Sequence, residues 1–85
     1  MIPNPVPSIW LGEARTYLHA AVRAMDEPQR RRAYAATAWT YAMRVLIGED
    51  HDAELTELDY ASLFIDEAMG HIDSAIADGA TQDTP

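Results

Sequence analysis

The sequence predicts an all-α fold: a small up-down-up three-helix bundle with an extended Pro-rich N-terminal arm and a frayed C-terminal tail. Three observations predict it. Apolar residues recur at spacings of three and four in three long segments, and no segment alternates apolar and polar residues as a half-buried strand does. The segments are separated by two short polar corners, Asp26-Glu27-Pro28-Gln29 and the acidic connector Glu49-Asp50-His51-Asp52-Ala53-Glu54 after Gly48, and short connections favour antiparallel neighbours. At 85 residues the chain allows one domain. A domain of that size buries only about 60% of the surface its unfolded chain exposes, so it gains more than a large one from a partner.

The elements follow in order. Pro3, Pro5 and Pro7 fix φ and suit an extended arm over 1–7, with Ser8 placed to cap a helix. The bundle is expected over 8–79, with helices at about 8–25, 28–47 and 56–78. In the first helix Trp10, Ala14, Tyr17, Leu18, Ala21, Val22 and Met25 form one apolar face. Asp26 is placed to cap the second helix, with Gln29 completing a capping-box-like pair and Pro28 in the first turn.

The second helix should stop at Gly48. Its main face is Tyr34, Ala38, Tyr41, Ala42, Val45 and Leu46, yet Trp39, Met43 and Ile47 fall on nearly the opposite side. Apolar groups thus cover about 240° of this helix, more than a bundle helix normally buries, leaving Arg30, Thr37, Thr40 and Arg44 as its polar strip. It is either sandwiched centrally or half of an interface. Thr56, followed by Asp59, suits the N-cap of the third helix, whose seam is Leu58, Ala61, Ile65, Ala68, Met69, Ile72 and Ile76. Tyr60, Leu63 and Phe64 are expected away from that seam, and 80–85 as a disordered tail.

Charge is divided along the chain. The formal net charge of −8 argues against direct binding of nucleic acid or an anionic membrane. Residues 1–44 hold all six bases, every one an Arg, and carry +3, whereas residues 45–85 carry −11. Arg30, Arg31 and Arg32 open the second helix, where the macrodipole disfavours cations. An antiparallel third helix would bring Asp73 and Asp78 to Arg32 as an ion-pair cluster; the other use of Arg23 and Arg30–Arg32 is a corner that holds an anion. Arg15, His19 and Arg23 extend the basic stripe along the first helix.

Catalytic and metal signatures are thin. Asp50, His51, Asp52, Glu54 and Glu57 cluster in the second corner, but a calcium loop begun at Asp50 would have Leu55 where Gly is needed and Ala61 where Glu is needed. Glu67 and His71 are four apart, whereas a di-iron carboxylate site needs a spacing of three, twice. Arg44 and His51 resemble the Arg-x4–6-His pattern of HEPN ribonucleases. That resemblance implies Arg44 steadying a scissile phosphate and His51 as acid/base, but Gly48 interrupts the helix between them and the acidic surroundings repel an RNA backbone. No phosphate loop or nucleophile elbow is present, so no catalytic residue, metal or cofactor is assigned.

Interaction surfaces remain. Trp39, Met43 and Ile47 have the composition of an interface core, and Tyr60 with Leu63 forms a second apolar candidate. Asp59, Asp66 and Asp73 repeat at sevens along one stripe of the third helix, with Glu67 nearby, so their carboxylates stand about 10.5 Å apart. Such a row could imitate phosphates. The expectation is a non-catalytic module binding a partner protein or a second copy of itself through the extra apolar face of helix 2. The rival is an acidic phosphate mimic, of the phage anti-defence type, that inhibits a nucleic-acid-binding protein. The start of the chain has no secretory pattern and no apolar run reaches the ~20 residues of a membrane span, so a cytoplasmic location is expected. The exclusive use of Arg and the many Ala suggest an actinobacterial or phage source.

Overall fold

The alanines decide how this chain folds. The computed structural model describes residues 5–47 and 55–80, and it contains three helices: α1 (Pro5–Arg23), α2 (Pro28–Ile47) and α3 (Leu55–Ala77). No strand occurs among the described residues. All three helices pack on one another, so the all-α three-helix bundle expected from periodicity is the fold. α2 is the central helix: it runs along both neighbours, while α1 and α3 touch each other least.

The buried hydrophobic side chains are mostly small. Ala14 and Ala21 from α1, Ala35, Ala38 and Ala42 from α2, and Ala61, Ala68 and Ala75 from α3 are fully buried, and among the described residues only Leu18 and Val45 are larger hydrophobic members of the core. Methyl-sized contacts let helix axes approach closely, which leaves too little depth at the seam for long side chains. Several residues expected in the apolar seams are therefore displaced to their edges. Val22, Met25, Leu46 and Met69 are all exposed. Phe64 moves the other way: expected away from the seam, it packs with Tyr17 against the Leu18, Ala38 and Ala68 cluster. Tyr17 also joins α1 to α2, with its ring centroid 6.0 Å from Tyr41 and 6.2 Å from Tyr34.

The ends differ from expectation by a few residues, each for a local reason. α1 begins at Pro5, so the extended arm over 1–7 is corrected to helix from Pro5 onward; residues 1–4 lie outside the described residues. The first four N–H groups of a helix have no partner within it, so prolines at 5 and 7 remove nothing the first turn uses. At the next corner the Arg31 N–H donates to the Glu27 carbonyl at 2.9 Å, which makes Glu27, not Asp26, the N-cap residue of α2. α3 begins at Leu55, so Thr56 stands inside its first turn rather than at its cap. At the far end the Ala80 N–H donates to Ala75 O at 2.9 Å and the Gly79 N–H to Ile76 O at 3.1 Å, a Schellman motif around Gly79 at φ 114°. The expected tail begins with Ala80 buried against this cap, and 81–85 lie outside the described residues.

Candidate protein-interaction surface

Position 39 lies at the edge of the face that α2 buries, about 40° round from the fully buried Ala35. Ala38 and Ala42 point into the core, and Trp39, about 100° round from Ala38, emerges at its edge beside α3. There Trp39, Ala36, Met69, Ile72 and Asp73 line an open groove of about 270 Å³. Trp39 remains 38% exposed and Met69 50%. Ala36 has no side chain beyond Cβ, so the α2 wall is low beside the indole. Ile47, two turns beyond Trp39, is 61% exposed, and Met43 between them is half-buried. The central position of α2 thus does not cover its second apolar face.

The groove also contains residues that sequence reasoning placed elsewhere. Met69 and Ile72 were expected in the α3 seam, and both line the groove instead. Asp73 belongs to the acidic stripe and is at the same time a groove residue. The two surfaces that look separate in the sequence therefore meet at one helix edge. Asp59, Asp66, Glu67 and Asp73 are all exposed, and none of them forms an ion pair among the described residues. Seven residues turn a helix through about 700°, so Asp66 and Asp59 continue the line of Asp73 with only about 20° of drift per step.

Tyr60 and Leu63 do not join that groove. Tyr60 pairs with Phe64 at 6.2 Å between ring centroids and lines a wider cleft, about 680 Å³, where α1 and α3 diverge. Arg15 and His19 stand on its α1 side. Leu63 is half-exposed outside both clefts.

The arginine corner is organised around Arg31, not Arg32. Arg31 is fully buried. Its Nη2 donates to Asp78 Oδ2 at 2.6 Å and its Nη1 to the Met25 carbonyl at 2.8 Å, with Met25 Sδ at 3.5 Å. Its Nε has no hydrogen-bond partner. One guanidinium thus ties the end of α3 and the α1–α2 turn to the start of α2. Asp78 already supplies the anion, so the expected pairing of Arg32 with Asp78 is corrected by one residue. Arg30 pairs with Glu27 at 3.3 Å.

Of the two residues that resemble a ribonuclease pair, the structure describes only Arg44. The Arg44 guanidinium lies over the rings of Trp10 at 5.8 Å and Tyr41 at 5.9 Å, a position that braces α1 against α2. His51, like Asp50, Asp52 and Glu54, lies outside the described residues. Among the described residues no group of three His, Asp or Glu side chains could hold a metal ion. No described helix is long and apolar enough to cross a membrane. The searches for similarity returned no family model, no curated protein and no solved structure that matches this chain.

Proposed function

We propose that this protein is a non-catalytic helical module that binds a partner protein, or a second copy of itself, through the α2–α3 groove. One observation carries the reading: Trp39 and Met69, large apolar side chains from two different helices, stand side by side and exposed while the core is filled by alanine. Aromatic and Met side chains are the types enriched at interface centres, and a small domain that leaves them outside has apolar area still to bury. Of the Trp39, Met43 and Ile47 face expected from the sequence, Trp39 stands on the α2 wall of this groove, opposite Met69 and Ile72 of α3, and Met43 and Ile47 lie further along α2.

The test compares the wild type with Trp39→Gln and Met69→Gln. Met69→Gln conserves side-chain length at a half-exposed position, so helicity by circular dichroism is expected to persist. A protein retained from lysate of the source cell or its host, or a dimer seen by sedimentation, should be lost from both variants. A wild type that stays monomeric at high micromolar concentration and retains nothing, or variants that retain the same protein, would overturn the reading.

The acidic row supports a second reading. Asp59, Asp66 and Asp73 are exposed and without ion pairs among the described residues, as a phosphate mimic directed at a basic cleft requires. Its signature is different: Asp59→Asn, Asp66→Asn and Asp73→Asn together abolish inhibition of the nucleic-acid-binding protein, and Trp39→Gln leaves it unchanged.

A further inference from the structure

We infer that the groove takes one amphipathic helix of a partner protein, which carries Arg or Lys at seven-residue spacing beside its apolar stripe. The inference rests on the groove being the docking site. Two antiparallel helices leave between them a channel whose shape suits a third helix, and the exposed Trp39 and Met69 supply its apolar floor. The charge of the occupant follows from the wall. Asp73 lines the groove, and Asp66 and Asp59 continue the same stripe along α3 for about 21 Å, close to four helical turns. α3 contains no Arg or Lys, so nothing on this wall neutralises the row. A helix laid along it meets the row with its own residues at sevens, because two helices that stay in contact share that repeat.

The chain's own outward bases do not satisfy this pattern. Arg31 is buried, Arg30 pairs with Glu27, Arg44 lies over two aromatic rings, and Arg32 is half-buried and is the only base on its side of α2. Arg15 and Arg23 on α1 are eight residues apart, which turns them about 80° from one another and takes one of them off any straight row. A second copy also brings its own −8 to the contact. Charge therefore selects a different chain.

A displayed library of about 18-residue amphipathic helices tests this. Its apolar positions vary among Leu, Ile and Met, and its flanking positions among Arg, Lys, Gln and Glu, with selection on the intact protein. The expected outcome is enrichment of Arg or Lys at i, i+7 and i+14 on one flank. Binding of the enriched helix should weaken roughly tenfold in the Asp59→Asn, Asp66→Asn, Asp73→Asn variant, the combined size of three exposed pairs, and weaken further in Met69→Gln. Enriched helices that are neutral or acidic on both flanks would overturn the basic partner and leave the docking groove standing. No enrichment above an irrelevant bait overturns both. A protein that dimerises on its own, with the dimer lost in the triple Asn variant, overturns the inference in favour of a second copy.

Discussion

Arg31 occupies a place that its residue type makes unexpected but its spacing makes regular. Arg31, Ala38 and Val45 are seven apart, and all three are fully buried. The guanidinium is tolerated there because Asp78 and the Met25 carbonyl satisfy its two terminal nitrogens. Taking a charge out of water is expensive, so such a pair adds little net stability while its breakage is costly. The prediction is a coupled one. Asp78→Asn alone should destabilise the fold by about 1–3 kcal/mol, because a buried cation loses its counter-charge. Arg31→Met, of similar volume and apolar, should lie within about 1 kcal/mol of wild type, and Asp78→Asn added to it should cost almost nothing further. Urea unfolding of the four proteins reads the cycle; equal costs for Asp78→Asn in both backgrounds would show that the pair does not hold the helices.

At the scale of the element, helix existence and order were legible and helix depth was not. α2 starts at Pro28, as the sequence expects, because a proline that fits a first turn is clear punctuation, and it is helical through Ile47; Gly48 lies outside the described residues. The α1 start was missed because prolines were read as breakers, although two of them fit a first turn. The core was legible only in part: Ala14, Leu18, Ala21, Ala38, Ala42, Val45, Ala61 and Ala68 are buried as expected, but apolar periodicity counts Met69 and Ala68 alike, whereas close packing separates them. The signal was present in Ala61, Ala68 and Ala75 at sevens, a small-residue row that fixes which way α3 faces and turns Met69 about 100° away from it. At the C-terminus the end of α3 was legible but its cap was not: Ala80 was assigned to the tail, although Gly79 before it is the residue that a left-handed C′ position favours. Gly79→Ala should therefore cost about 1 kcal/mol, from the strained φ, and raise amide exchange at Gly79 and Ala80, whose N–H groups close the motif. Unchanged exchange at those two amides would refute the cap's role.

The whole molecule distributes its apolar residues by size, small ones inside and many large ones at the margins. That arrangement has a stability consequence, because burying a methyl group removes far less apolar area from water than burying Leu or Trp. Stability in the free protein then depends on close helix approach rather than on buried bulk, and the large side chains are left for contact with something else. Two adjacent substitutions separate these roles. Ala68→Leu forces three more heavy atoms into the Leu18–Ala38 contact, where α3 meets both other helices, and should lower stability by about 1–3 kcal/mol through overpacking. Met69→Leu, one residue on and half-exposed, should change it by less than about 0.5 kcal/mol. Binding should answer in the opposite sense: Ala68→Leu weakens docking only as far as it unfolds the protein, while Met69→Gln weakens docking with the fold intact. Denaturant midpoints measured with and without the docked helix decide it. A destabilising Met69→Leu beside a neutral Ala68→Leu would reverse the division of labour between core and groove.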